Sequence, residues 1–198
     1  MKNRVIFLDI DGVLNGDKYF KSRDYKKREK EDIHSKMICR VNLFWVSLLC
    51  KLFKPKIVLS SSWRYFWNYD GTLNKKFKDR YLAIDNLFRK CGINIVSRTP
   101  NKTDNLMKYN IDLEKFNMWK ETIGDMSIET IITHSRGAQI LKWIEENKFD
   151  GKYVILEDDI IDVLFFKDLK HHLIKTSFYA KNFGFRFKHF VKACLKLL

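Results

Sequence analysis

The chain has 198 residues, 45% of them hydrophobic and only two of them proline, which excludes a disordered tail and suits one folded domain. Its 38 Lys and Arg outnumber its 24 Asp and Glu, and the net charge of +14 predicts attraction to polyanions such as nucleotides and nucleic acid. The four cysteines lie far apart without a C-x-x-C pair, so neither a disulfide scaffold nor a zinc site is indicated.

The first half of the chain alternates predicted strands and helices. Val5–Leu8 is an unbroken apolar run followed by loop residues, which is typical of a buried parallel strand. Apolar residues then recur with a helical period from Met37 to Phe53, and Gly92 ends a later helix. In chain order we predict a strand at 5–8, a basic polar segment at 18–30, a helix at 37–53, a strand at 56–64, a helix at 80–91 and a strand at 93–97.

The second half continues this alternation after a segment, 101–133, that lacks a clean period and is predicted to be an insertion. A helix is predicted at 135–148 with Ser135 as its N-cap, and strands are predicted at 153–159 and 171–176. The last residues carry an apolar stripe at helical spacing, with lysines on the exposed face. Strands that alternate with helices predict an α/β fold whose central sheet is mostly parallel.

The most membrane-like segment is Val41–Cys50, which is bounded by Arg40 and Lys51. It has about half of the roughly 20 apolar residues that a membrane-spanning helix needs, so we expect no membrane span. The chain enters a predicted strand almost at once and leaves no room for a signal peptide. Together with the unpaired cysteines, this predicts a cytoplasmic location.

Polar side chains follow three of the predicted strands. Asp9 and Asp11 follow the first, hydroxyls and an arginine at 60–64 end the second, and acids at 157–159 end the fourth. Arg136 opens the helix before that fourth strand. Parallel sheets bind ligands at the carboxyl ends of their strands, so these groups are predicted to share one site.

Two carboxylates one residue apart repel each other unless something compensates for their charge. Asp9 and Asp11 fall on the same side of an extended chain, and with Asp158 they could hold Mg²⁺, which prefers oxygen ligands. A calcium-binding loop is the competing interpretation of D-x-D-G. It fails because Val13 occupies a ligand position and no helix precedes the loop.

Three sequence motifs resemble those of a known superfamily. They are, in chain order, FLDIDGVLN, IVLSSSW and YVILEDD. They resemble the first, second and fourth motifs of the haloacid dehalogenase (HAD) superfamily, whose members are mostly Mg²⁺-dependent phosphatases. The combination of SSSWR, SRGAQILKWI and VILEDD is most similar to a small HAD branch associated with RNA-repair and polynucleotide kinase-phosphatase systems.

The resemblance extends over roughly 4–184 and implies a Rossmann-like three-layer sandwich with a minimal cap. The whole chain, 1–198, would then be a single phosphatase domain. It would carry a short basic flap at about 16–35, over the site, and a small cap insertion at about 101–133.

The resemblance also implies a role for each matching residue. Asp9 would be the nucleophile that attacks phosphorus, and Asp11 the general acid that then becomes the base. Asp9, the backbone carbonyl of Asp11 and Asp158 would ligate Mg²⁺. Ser61 would hydrogen-bond the phosphoryl oxygens, and Arg136 would neutralise the charge that develops in the transition state.

The remaining substrate-binding residues are predicted to be Ser62, Arg64 and Gly12. Ser60 and Ser62 are alternatives to Ser61 as the phosphoryl-binding hydroxyl. Arg64 has an alternative role as one side of a structural ion pair.

Further alternatives concern the metal site and the cation. Glu157 or Asp159 could take the role assigned to Asp158. The superfamily more often uses lysine where this chain has Arg136, but a cation at a helix start opposes the helix dipole and is expected to meet an anion. His134 is predicted to be a loop residue rather than a catalyst.

The predicted function is Mg²⁺-dependent hydrolysis of a phosphomonoester through an aspartyl-phosphate. Nucleotides or nucleic-acid ends, with a 3′-phosphate favoured, are the predicted substrates. This prediction rests on the resemblance to the RNA-repair branch and on the segment 18–30, which has seven Lys and Arg against two acids. The alternatives are a small-metabolite phosphatase, a phosphotransferase, and a non-catalytic protein that binds nucleic acid through its basic faces.

Overall fold

Five strands form one parallel sheet in the computed structural model, which describes residues 3–101, 110–123, 135–159 and 161–198. The order of the strands across the sheet is β3-β2-β1-β4-β5, and every neighbouring pair is parallel. The strands are β1 (Arg4–Leu8), β2 (Lys56–Leu59), β3 (Ile95–Arg98), β4 (Lys152–Glu157) and β5 (Leu173–Lys175). The predicted α/β fold with a parallel sheet is confirmed.

Helices follow the strands along the chain and cover both faces of the sheet. In the described residues they are α1 (Asp17–Phe20), α2 (Arg23–Lys27), α3 (Ile33–Lys36), α4 (Arg40–Phe53), α5 (Lys78–Lys90), α6 (Leu113–Ile123), α7 (Arg136–Glu146), α8 (Ile161–Leu164), α9 (Lys167–Lys170) and α10 (Phe187–Leu197). Short 3₁₀ helices occupy Ser62–Phe66 and Lys75–Phe77. None of these helices is long and apolar enough to cross a membrane.

The alternation of side chains along each strand divides the core into two layers. Ile6 and Leu8 of β1 point to the face that is covered by α4, α5 and α10. Val5 and Phe7 point to the opposite face, where α7 and the segment around α8 and α9 pack. The chain therefore has the three-layer architecture expected of a Rossmann-like fold.

Two elements differ from the sequence prediction. The strand predicted at 56–64 ends at Leu59, because the chain turns at Ser61 into the 3₁₀ helix. The predicted insertion contains a regular helix, α6, whose Phe116 is buried against the second core layer. The rest of that insertion, 102–109 and 124–133, lies outside the described residues, so its role as a cap stays a prediction.

The predicted flap, 16–35, consists of three short helices that are bound to the body of the protein. Arg28 lies at its centre, where its guanidinium donates to both carboxylate oxygens of Glu31 at 2.7 Å and to the carbonyl of Ile38 at 2.9 Å. Tyr19 is buried and donates to the carbonyl of Lys36 at 2.7 Å. These bonds attach the segment to the residues that follow it, while most of its lysines are exposed.

Candidate active site

The register of the sheet brings three predicted site residues side by side at its carboxyl edge. Leu8 pairs with both Leu59 and Leu156, so the next residues, Asp9, Ser60 and Glu157, lie in neighbouring positions. The amide of Asp9 donates to the carbonyl of Leu156 at 3.0 Å. Because side chains alternate along a strand, the Asp9 and Glu157 side chains point to the face on which α7 packs.

Arg136 is the first residue of α7 and reaches this edge. Its Nη1 donates to Asp9 Oδ1 at 2.8 Å, to Glu157 Oε2 at 2.9 Å and to the carbonyl of Ser60. The Ser135 hydroxyl caps the helix by accepting from the amide of Ala138 at 3.2 Å, as predicted. The cation at the helix start therefore meets two carboxylates, which offset its unfavourable position in the helix dipole.

The ionisation of Asp9 is strongly perturbed by its surroundings. It is only 4% exposed, and burial raises the pKa of Asp9 to about 6, although Arg136 and a hydrogen bond from the Ser61 hydroxyl act in the opposite direction. The neighbouring charges of Asp11 and Asp158 raise it further. Burial has the largest effect because removal from water disfavours the charged carboxylate relative to the neutral acid.

Asp11 is held on both of its carboxylate oxygens. Trp63 Nε1 donates to Oδ2 at 2.9 Å, and Asn15 Nδ2 donates to Oδ1 at 2.8 Å. The Asn15 side chain in turn accepts from the amide of Gly12 at 3.1 Å. The loop after β1 thus orients Asp11 next to Asp9 through a fixed set of donors.

Gly12 is required by the geometry of this loop. Its φ is +71°, a conformation that residues with a side chain rarely adopt, and an added Cβ would come within 2.0 Å of the Asp158 Cγ. The loop after β1 therefore packs directly against the acidic loop after β4. Substrate binding by the Gly12 backbone stays a prediction.

A cluster of three carboxylates could hold a cation. Asp9, Glu157 and Asp158 each offer an oxygen, and these oxygens lie within 4.8 Å of one another. Glu157 is engaged on its second oxygen by the amides of Asp158 and Asp159, at 3.1 and 3.2 Å, whereas Asp159 is exposed and outside the cluster. Burial raises the pKa of the half-buried Asp158, as expected for clustered acids. Hard oxygen donors that carry excess negative charge fit a divalent cation such as Mg²⁺.

The three serines after β2 occupy different environments. Ser61 is fully buried; its hydroxyl bonds Asp9, and its Oγ accepts from the amide of Trp63 at 3.3 Å. Ser60 Oγ is buried without a hydrogen-bond partner in the described part of the chain. Ser62 is exposed at the start of the 3₁₀ helix. Ser61 is therefore the serine in contact with the predicted nucleophile.

Arg64 is buried next to this edge, with 6% of its surface exposed. Its Nη1 donates to the carbonyl of Ser61 at 3.0 Å, and its Nε is buried without a partner. Burial and the charge of Arg136 lower the pKa of Arg64. Among the described residues it forms no ion pair with a carboxylate, so the alternative structural ion pair is not seen there.

An open groove lies beside Asp158. It has a volume of about 500 Å³ and is lined by Asp158, Asp159 and the segment 175–179. Thr176 Oγ1 is buried there without a hydrogen-bond partner in the described residues. The groove gives a ligand access to the acidic cluster.

Sequence reasoning missed Asn15 and the link from Trp63 to Asp11. Asn15 lies four residues after Asp11 in a loop, and a buried asparagine at this position usually has a hydrogen-bonding task. Trp63 carries an indole N–H that needs an acceptor when it is buried. His134 lies outside the described residues.

The site can now be compared with known proteins. A family model described as "HAD domain in Swiss Army Knife RNA repair proteins" matches residues 5–181. The chain belongs to this family. Neither a curated protein nor a solved structure matches it.

Membership confirms the resemblance to the RNA-repair branch of the HAD superfamily. It makes the chain a HAD-type phosphatase, a hydrolase of phosphoric monoesters. The matched residues include the loop after β1, the serines after β2, Arg136 and the acids after β4.

Proposed function

We propose that the protein is a Mg²⁺-dependent phosphatase that forms an aspartyl-phosphate on Asp9. The observation that carries this proposal is the arrangement around the Asp9 carboxylate. One of its oxygens accepts from Arg136 at 2.8 Å, the Ser61 hydroxyl lies near enough to lower the pKa of Asp9, and oxygens of Glu157 and Asp158 lie within 4.8 Å. A nucleophile, a cation and a cation-binding cluster thus meet at one edge of the sheet.

In the first step the Asp9 carboxylate attacks phosphorus, so that a bond from its oxygen to phosphorus forms as the bond to the leaving oxygen breaks. Asp11 donates a proton to that leaving oxygen. Asp11 then takes a proton from water, which attacks the phosphorus of the aspartyl-phosphate. Inorganic phosphate leaves, and both carboxyl groups return to their initial states.

The remaining residues bind and orient the phosphoryl group. Ser61 lies beside the attacking carboxylate and is placed to donate to a phosphoryl oxygen. Arg136 holds Asp9 in place and supplies positive charge where negative charge develops. Asp9, the Asp11 carbonyl and Asp158 would hold Mg²⁺, with Glu157 beside them, and the ion would neutralise charge on the phosphoryl oxygens.

The proposed substrate is the phosphorylated end of a nucleic acid, with a 3′-phosphate favoured. The description of the family names RNA repair proteins, and the basic segment 18–30 follows the nucleophile loop directly. The net charge of +14 favours association with a polyanion, which carries many negative charges, over a small metabolite that carries one phosphate group.

The first prediction concerns phosphate release from a panel of 3′- and 5′-phosphorylated oligonucleotides, mononucleotides and sugar phosphates, each with Mg²⁺ and with a chelator. We expect Mg²⁺-dependent release from oligonucleotide ends. Asp9→Asn should lower it by about 10⁴-fold or more, because the amide cannot act as a nucleophile. Asp168→Asn on α9 is the matched control, since Asp168 is exposed and its loss changes the net charge equally.

Phosphate release from mononucleotides or sugar phosphates alone would support the proposed phosphatase reaction and reject the nucleic-acid substrate. Full activity of Asp9→Asn would reject the mechanism. An oligonucleotide that binds without any phosphate release would favour the alternative of a non-catalytic binding protein.

A further inference from the structure

A second cationic group lies at the same edge of the sheet, next to the phosphate site, and includes Arg64, for which the sequence predicts substrate binding. It consists of Arg64 and Tyr65, which follow β2, and of Tyr69 and Arg98. We propose that these four residues form a subsite for the nucleotide next to the terminal phosphate, and that the substrate end is therefore single-stranded. This proposal rests on the proposed function, because it deepens the assignment of the substrate.

Arg98 is the last residue of β3 and lies opposite Leu59, one residue before the serines. Its Nη1 donates to Asn101 Oδ1 at 2.7 Å, and its guanidinium lies 4.2 Å from the centre of the Tyr69 ring. Its Nε is buried and has no hydrogen-bond partner in the described residues. Arg98 is thus held in place while part of its donor capacity is unused.

Arg64 repeats this arrangement in the 3₁₀ helix that follows β2, the strand next to β3. Its guanidinium lies 4.9 Å from the centre of the Tyr65 ring, and its Nε is likewise buried and unpartnered in the part of the chain that is described. The charge of Arg98 contributes to the lowered pKa of Arg64, so the two guanidinium groups lie near each other, and neither forms an ion pair with a described carboxylate. Arg64 is buried and Arg98 is half-buried, and two neighbouring guanidinium groups without a described anion are suited to bind a phosphodiester.

The two tyrosines supply flat surfaces for bases. Tyr65 is 47% exposed and Tyr69 is 52% exposed, and each ring has an arginine close to it. Single exposed aromatic residues are ordinary on protein surfaces, but here each belongs to an arginine–tyrosine pair at the edge of a phosphatase site. Single-stranded nucleic acids bind to this combination, because unpaired bases stack on aromatic rings while arginines bind the backbone.

A groove begins beside Tyr69 and β3 and reaches the amino ends of β1, β2 and β4. Its volume is about 280 Å³, and its lining includes Tyr69, Val96, Lys56 and Lys148, together with one carboxylate, Asp150. Lys56 starts β2, three residues before Leu59, so the groove extends ~10 Å from the carboxyl edge of the sheet. The polynucleotide chain therefore has a path away from the active site that is lined by two further cations.

Bases in a duplex are already stacked and paired, so they cannot stack on Tyr65 and Tyr69 without being unpaired. The subsite consequently predicts a preference for a single-stranded end over a blunt duplex end. It also predicts that an oligonucleotide is a better substrate than the corresponding mononucleotide.

The second prediction tests this subsite by binding. In an Asp9→Asn background, which leaves the substrate intact, the anisotropy of a fluorescent, 3′-phosphorylated single strand is titrated with protein. We expect Arg98→Gln and Tyr69→Ala each to weaken binding by about tenfold, which is the range for one lost stacking or phosphate contact. The blunt duplex should bind the parent more weakly than the single strand.

Two control substitutions lie elsewhere. Arg89→Gln removes the same charge at the C-terminal end of α5, and Phe44→Ala removes an equally exposed ring from α4. Both should bind the single strand as the parent does, and thermal melting verifies that every variant is folded. Unchanged binding by Arg98→Gln and Tyr69→Ala, an equal loss in the controls, or equal binding of the duplex would overturn the proposal.

The phosphate-release panel separates this proposal from the proposed function. If no phosphate is released but binding depends on Arg98 and Tyr69, the subsite is retained and the proposed function is rejected. If Mg²⁺-dependent release occurs but binding is insensitive to both residues, the function is retained and the subsite is rejected.

Discussion

Asp9 lies between two opposing influences. Its burial favours the protonated acid, while Arg136 and Ser61 favour the carboxylate, and the balance leaves the pKa of Asp9 at about 6. A bound cation would shift this balance further toward the carboxylate, because a metal ligand must be deprotonated. The competition between a proton and a metal cation for the Asp9 carboxylate can therefore be measured.

The third prediction follows from this competition. Below pH 6 a growing fraction of Asp9 binds a proton, so the affinity for Mg²⁺ should fall by about tenfold for each pH unit. Above pH 6, where Asp9 is mostly deprotonated, its contribution to the Mg²⁺ affinity should no longer change with pH. Calorimetric titration with Mg²⁺ between pH 5 and pH 8 measures the effect, and Asp9→Asn should reduce the pH dependence and remove most of the affinity. An affinity that is independent of pH in the wild type would contradict this account.

At the scale of single residues, the positions of the principal groups could be predicted from the sequence. Asp9, Ser61 and Asp158 follow apolar runs, and parallel strands bring such residues to one edge whatever the details of packing. The contact from Trp63 to Asp11 could not be predicted, since it joins residues 52 apart through side-chain directions. Glu157 is predicted from the sequence only as an alternative metal ligand. It points to the same face of the sheet as Asp9, because Leu8 pairs with Leu156 and the two acids directly follow these leucines.

At the scale of elements, α10 depends on one buried histidine. His189 is 5% exposed, and its Nδ1 accepts from the amide of Arg186 at 3.0 Å, which caps the start of the helix. Burial lowers the pKa of His189 from 6.5 to about 4, and the charges of Lys188 and Lys192 lower it further. The folded protein therefore requires this imidazole to be neutral.

The fourth prediction concerns the pH dependence of stability. Because the folded pKa of His189 lies below the unfolded value, its contribution to the free energy of unfolding is fully present above pH 6.5 and is lost as the pH falls toward 4. Gln at this position keeps an acceptor for the helix cap but has no titrating group.

Between pH 6.5 and pH 4 the free energy of unfolding should thus fall less in His189→Gln than in the wild type, by an amount on the order of 2 kcal/mol. Urea denaturation at a series of pH values measures it. His171→Gln is the control, since His171 precedes β5 outside this helix. Equal acid sensitivity in the wild type and His189→Gln would show that His189 is not responsible.

Elements with strong local signals could be predicted, and elements defined by long-range packing could not. The start of α7 was clear because Ser135 caps it in the chain itself. In contrast, α6 has no clean apolar period, and its Phe116 finds its partner, Phe165, far along the chain. The end of β2 was misplaced because the serines that continue its pattern turn away into a 3₁₀ helix.

At the scale of the whole molecule, the sheet order explains why one site forms. The central strand, β1, carries the loop of the proposed nucleophile, and its two neighbours, β4 and β2, carry the acidic loop and the serines. The arginine–tyrosine group extends this site toward β3 at the edge. Functional charge is thus arranged along one side of the sheet, in a chain whose net charge is +14. The fold could be predicted from alternating strands and helices, whereas the direction of the substrate path could not.

The central claim is that Asp9 becomes phosphorylated, and a stalled reaction tests it most directly. Asp11→Asn should still accept a phosphoryl group from p-nitrophenyl phosphate, whose leaving group needs no proton, but it should lack the base that activates water. We predict, as the fifth outcome, a burst of about one equivalent of nitrophenolate per protein and a phosphoryl group on the peptide that contains Asp9. The Asp9→Asn, Asp11→Asn double variant should give neither. Steady turnover without a burst, or a phosphoryl group on another residue, would contradict the account.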